Sequence, residues 1–230
     1  IFFVSWSGDL DGSIDAENFD RIREAGAVPW LRVTLRAPQP IRLNVQTLDA
    51  ELRDLARLAA AAGQGATIEI DWQPSDGVFD AADFAFAFKR AAVAVTGARA
   101  ETSVAIGPLR ADPALLRTLY AEGIAAYADW IAIEPSTPGL QTILPIVAEF
   151  DAGKPVVLEG LPWPPSDESQ ALAVAAEVAA LGGAVTFFDA EGLAPFRHQI
   201  VGVGIGDAQI GTVDFVVAGH LHVAPGLGEG

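Results

Sequence analysis

Four stretches of this chain predict β-strands that run out into carboxylates, with Ala-rich helical stretches between them. They are Ile68-Glu69-Ile70-Asp71-Trp72-Gln73-Pro74, Trp130-Ile131-Ala132-Ile133-Glu134-Pro135, Val156-Val157-Leu158-Glu159-Gly160 and Val185-Thr186-Phe187-Phe188-Asp189-Ala190-Glu191. Strands that alternate with helices give parallel sheets covered by helices, and such sheets carry their sites at the carboxyl ends of the strands. Acids far apart in sequence therefore converge in space.

Strands are expected at Ile1–Trp6, Trp30–Arg36, Thr67–Gln73, Ser103–Gly107, Trp130–Glu134, Pro155–Glu159 and Ala184–Phe188. Helices are expected at Ala16–Ala25, Leu48–Ala62, Ala81–Val95 and Ser169–Leu181, with another beginning at the Asp112-Pro113 cap. The spacing predicts an α/β fold of the (β/α)8 TIM-barrel type, complete or trimmed; the rival is an open doubly wound sheet. Residues 1–198 form the barrel. The Gly-rich, strand-like tail, residues 199–230, supplies strand eight, or a hairpin, or the start of another module.

Side chains alternate across a strand. In strand three, Glu69, Asp71 and Gln73 share one face, and Ile68, Ile70 and Trp72 the other. Arg32, Thr34 and Arg36 likewise oppose Leu31, Val33 and Leu35. Since one face must meet helices, Arg32, Glu69, Asp71, Gln73, Glu134 and Glu159 fall in a common interior. Carboxylates sharing an interior pair up or shift their pKa. The cluster is then either a functional pocket or a structural Arg–carboxylate plug.

These residues also resemble a family pattern. The run from Ile68 to Pro74, the strand Ser103 to Pro108, Ala128-Asp129-Trp130-Ile131-Ala132-Ile133-Glu134-Pro135 and Gly153-Lys154-Pro155-Val156-Val157-Leu158-Glu159 are similar to the later strands of clan A glycoside hydrolase barrels. The resemblance implies that Glu159 is the nucleophile and that Gln73 stands where the acid/base carboxyl belongs. Glu69-x-Asp71-x-Gln73 is similar to the Asp-x-Asp-x-Glu strand of family 18 chitinases, and there too Gln73 replaces the donor. Retaining hydrolysis needs two carboxyl groups flanking the bond. Three readings follow. The chain hydrolyses a polysaccharide with Glu159 as nucleophile or stabiliser and Glu134 or Asp71 as proton donor. Or it is a catalytically degenerate glycan-binding barrel. Or it is a structural barrel of an extracellular assembly. Gln73, Glu69, Arg32, Trp6, Trp163 and Asp189 are the candidate substrate-binding residues. Trp6 and the rigid Leu161-Pro162-Trp163-Pro164-Pro165 loop would stack on sugar rings or else pack inside, whereas Trp72 and Trp130 are expected in the core.

Ser7-x-Asp9-x-Asp11-Gly12-x-x-Asp15 has the alternate oxygens and turn glycine of a calcium loop, although Asn18 stands where a bidentate Glu is usual. A solvated acidic loop is the competing reading, and no other cofactor is expected. His220 and His222 share a strand face without a nearby acid, and Gly202-x-Gly204-x-Gly206 lacks the dinucleotide spacing. The net charge of −16 argues against nucleic acid and is compatible with neutral sugars or cationic ligands; the resemblance makes carbohydrate the expected partner. No apolar run is long enough for a membrane span. The absence of cysteine excludes disulfides and thiol chemistry, and the oligomeric state stays open. Without any methionine, and opening on an apolar strand, the chain reads as a processed or excised piece, at the cell surface or outside it.

Overall fold

The structure is a computed structural model. It describes residues 2–8, 19, 27–73, 79–110, 112–134, 137–163, 184–189 and 216–218, with side chains for Phe19 and for residues 29–73, 79–110, 112–134 and 142–157. Among these described residues, eight strands form one sheet in strict sequence order: β1 (Phe2–Gly8), β2 (Ala27–Leu35), β3 (Thr67–Trp72), β4 (Ser103–Leu109), β5 (Trp130–Ile133), β6 (Val156–Trp163), β7 (Ala184–Asp189) and β8 (Val216–Ala218). Every neighbouring pair is parallel. A doubly wound sheet reverses its strand order at a switch point. No reversal occurs here, so the open-sheet rival is set aside.

The helices form where apolar residues recur at helical spacing. Helix α1 (Val45–Ala62) buries Leu48, Leu52, Leu55, Leu58, Ala59 and Ala62, and stops at Gly63, whose φ is 84°. Helix α2 (Ala81–Ala98) starts at Asp80, whose side chain accepts from the Asp83 amide, and buries Phe84, Phe88, Ala91 and Val95. Helix α3 (Pro113–Ala121) has the expected Asp112 cap, which accepts from the Ala114 and Leu115 amides. Each cap satisfies donors that the first helical turn leaves unpaired.

A further described helix, α4 (Thr137–Phe150), is absent from the expected elements and forms with Pro145 inside it. Burial of Ile143, Leu144, Ile146 and Val147 outweighs the helix bond that Pro145 removes.

The principal core lies between sheet and helices. Leu31, Val33, Leu35, Ile68, Ile70, Trp72, Ile131 and Ile133 pack there with Leu55, Phe84, Phe88 and Leu119. Fully burying each large side chain is worth about 1.5–3 kcal/mol. A separate cluster of Trp30, Ala105 and Val157, with Trp130 against it, occupies the other face of the sheet. The alternation read from the sequence is thus observed: strand faces divide into a helix-side row and an opposite row. Buried on both faces, β3 has the character of a parallel strand.

Candidate functional site

The row opposite the helices can be followed across the sheet by register. Arg32 pairs with Glu69, Glu69 with Ala105 and Ala105 with Trp130. One step towards the carboxyl ends, Thr34 pairs with Asp71; Ala132 pairs with Val157 and Val157 with Ala184.

Glu69 has no exposed surface. Its Oε2 accepts from Trp30 Nε1 at 2.6 Å, and its Oε1 accepts from Arg32 Nε at 3.0 Å. Burial pushes its pKa up, against the pull of the Arg32 charge and the Trp30 hydrogen bond. The Arg32 side chain is 24% exposed, so the pair runs from a dry end at Glu69 towards solvent. Trp130 meets Trp30 edge-on, with ring centroids 5.7 Å apart. Trp130 is therefore part of this inner face and not of the helix-side core.

Asp71 lies nearer the carboxyl end of β3. Its Oδ1 accepts from the Trp72 amide at 2.7 Å and its Oδ2 from Gln73 Nε2 at 3.0 Å. Burial raises its pKa, while those two hydrogen bonds, the Arg32 charge and a Thr34 hydrogen bond oppose the rise. Gln73, just past the strand, is exposed, and its backbone amide bonds to the Leu35 carbonyl at 2.9 Å. Trp72 points the other way, its Nε1 donating to the Ala37 carbonyl at 2.9 Å. Arg32, Thr34, Glu69, Asp71 and Gln73 thus form one connected group on two adjacent strands.

Glu134 directly follows β5, is exposed, and donates its backbone amide to the Leu109 carbonyl at 2.9 Å. Glu159 does not end its strand. Strand β6 runs on to Trp163, with a register shift between Leu158 and Leu161 that places Glu159 at a β-bulge. Bulges are frequent at sheet rims and beside active sites, where they re-aim side chains. The stretch Leu161-Pro162-Trp163, expected in a loop, is paired with Phe187, Phe188 and Asp189 of β7. Asp189 closes β7 in register with Trp163, and Trp6 of β1 pairs with Leu31, a helix-side position. The side chains of Trp6, Glu159, Trp163 and Asp189 lie outside the described residues, as do Asp9, Asp11 and Asp15 of the expected calcium loop. Among the described residues no cluster of acids and histidines could hold a metal, and no helix is long and apolar enough to cross a membrane.

Sequence reasoning passed over Trp30, which it used only as a strand boundary. The available signal was parity, since Trp30 alternates with Arg32 and Thr34 on the inner row. Lys154, quoted for its place before Pro155, is tied to the opposite end of the sheet. Its Nζ donates to the Ala128 carbonyl at 2.6 Å and sits 3.1 Å from Asp151.

No family model matches the sequence, and no curated protein matches it. Among solved structures, the fold is similar to endo-glycoceramidase II from Rhodococcus sp., solved in a cellobiose-like imidazole complex, with a TM-score of 0.51 at 10% identity over 81% of this chain. It is also similar to PbGH5A, a glycoside hydrolase family 5 enzyme from Prevotella bryantii B14, with a TM-score of 0.50 at 11% identity over 81% of this chain. The chain spans 64% of the first and 74% of the second. At these identities the likeness establishes the fold alone, an α/β fold with a parallel sheet like that of these two structures.

Proposed function

We propose that this chain is a glycoside hydrolase-like (β/α)8 barrel that takes a neutral glycan at the carboxyl ends of its strands and hydrolyses it. In this reading residues 1–198 supply the barrel body and the tail closes it through β8; the approach of β8 to β1 supports that closure. The observation that carries the reading is Asp71. It is held by Trp72 and Gln73, biased by burial towards its protonated form, and placed beside the carboxyl end of a strand. A carboxyl whose pKa burial raises above its ordinary value is shifted in the direction a general acid needs.

Asp71 or Glu134 gives its proton to the departing sugar oxygen, and Glu159 attacks or stabilises the anomeric carbon. Gln73 orients Asp71. Arg32 and Glu69 set the electrostatic floor beneath it, while Trp163 and Asp189 stand at the rim. A second reading, glycan binding without turnover, is favoured by the exposed Gln73 amide. It occupies the position where the resembled families carry their donor, and an amide cannot cycle a proton.

The test is a panel of aryl glycosides. Wild type is expected to release the aryl group above the blank, and Asp71→Asn or Glu134→Gln to lower kcat by roughly 10²–10⁴-fold. Equal background rates in wild type and Glu159→Gln would exclude hydrolysis. Retention of glycan by such an inactive wild type would establish the binding reading instead.

A further inference from the structure

Away from the strand ends, the described surface has a concave feature. Helices α1 and α2 lie side by side and leave an open groove of about 690 Å³ on their outer face. Leu52, Phe86, Val93 and Tyr127 line it, and Val93 and Tyr127 are 59% and 39% exposed. The apolar floor is small, so the charge around it is what distinguishes the groove from ordinary surface.

The charge around the groove is opposite to that of the molecule. Arg53, Lys89 and Arg90 line it against the single acid Asp49, in a chain with 14 basic and 30 acidic residues. Arg42 also lies over the Phe86 ring, at 6.0 Å, as does Arg90 at 5.8 Å. Arg90 is bound to Asp49 at 2.6 Å and Lys89 to the Glu122 carbonyl at 2.6 Å, whereas Arg53 is exposed and has no ion pair among the described residues. A two-fold pairing of this patch with itself would oppose like charges, which disfavours a symmetric dimer here.

We propose that this groove docks an acidic amphipathic helix of another polypeptide. The apolar floor takes a row of side chains at i, i+3, i+4 and i+7, and the basic rim pairs with carboxylates flanking that row. The lining positions span about two turns of each helix, which matches a partner segment of roughly three turns.

The test uses a fluorescein-labelled synthetic peptide of about four turns, with Leu at that spacing and Glu elsewhere, titrated against the full chain by fluorescence anisotropy. Saturable binding is expected, weakened about tenfold by Val93→Glu and by Arg53→Glu, both exposed positions whose folding is checked by circular dichroism. It is also expected to weaken with added salt. Three results would overturn the proposal. One is no saturable binding. Another is equal binding of a peptide with the same composition and scrambled Leu spacing. The third is self-association of the chain that Val93→Glu abolishes, since a second copy would then be the occupant. None of these readings depends on glycoside turnover.

Discussion

At the scale of single residues, a carboxylate with no exposed surface has to be matched on both oxygens, and Glu69 is matched by Trp30 and Arg32. Removing Glu69 takes its acceptor oxygens from the buried Trp30 indole and the part-exposed Arg32 guanidinium. Glu69→Ala is therefore expected to lower unfolding free energy by about 2–4 kcal/mol. Glu69→Gln, which presents a donor where one acceptor oxygen was, is expected to lose about 1–3 kcal/mol. Urea unfolding measures both, and a loss near zero for Glu69→Ala would show the pair to be dispensable.

The pH dependence follows from the same groups. Glu69, Asp71 and Glu51 all have pKa values raised by burial, so the folded chain holds protons that the unfolded chain has released. The stability they contribute is fully present below their ordinary values of 4.5 for Glu and 3.8 for Asp, and is lost as pH rises through the raised native values. The urea midpoint is expected to fall as pH rises above the ordinary carboxyl values, and to fall less in Glu69→Gln. A midpoint that climbs across that window would contradict the assignment.

At this scale the sequence was informative where alternation was clean. Arg32, Glu69 and Asp71 share a face because their odd-even positions say so. The pairing of Glu69 with Trp30 was hidden, since a tryptophan at a strand start is as easily read as core.

At the scale of elements, the strands and helices foreseen from periodicity are present within a few residues wherever the structure describes them. The departures have local causes. Strand β4 continues through Gly107-Pro108 to Leu109, although glycine and proline usually end a strand. Gly107 is needed there because β5 comes close. A Cβ on it would lie 2.4 Å from the Ala132 carbonyl oxygen, and its φ of +139° strains any other residue. Gly107→Ala is expected to lower stability by about 3 kcal/mol or more, from combined strain and overpacking, as read by thermal and urea unfolding. A neutral substitution would mean that β4 and β5 can separate freely.

Strand β6 outruns its carboxylate because a bulge lets Leu161, Pro162 and Trp163 rejoin β7. A bulge leaves no mark in hydrophobic periodicity, so Glu159 looked like a strand end. Helix α4 was hidden for a related reason: Pro145 contradicts it locally, and only the packed Ile143, Leu144, Ile146 and Val147 reveal it.

At the scale of the whole molecule, strand order carries the argument. Eight parallel strands in sequence order bring the ends of β2, β3 and β5 onto one side, which is how Asp71 and Glu134 come to the same end of the sheet. That order was legible because each strand–helix unit repeats and right-handed crossovers leave few alternatives. The chemistry was less legible. A carboxylate in a strand reads the same whether it plugs the sheet, as Glu69 does beside Trp30 and Arg32, or faces incoming ligand, as proposed for Asp71. Burial and hydrogen-bond partners separate the two roles, and neither is written in spacing.

The central claim is that the Asp71–Gln73 group receives a neutral glycan. Its most direct test is isothermal titration of the intact chain with a panel of neutral oligosaccharides, repeated with Asp71→Ala and Gln73→Ala. The account expects saturable heat for at least one sugar in wild type and an affinity about tenfold lower in each variant, a loss of about 1.4 kcal/mol. A panel with no binding, or variants that bind as tightly as wild type, would contradict it.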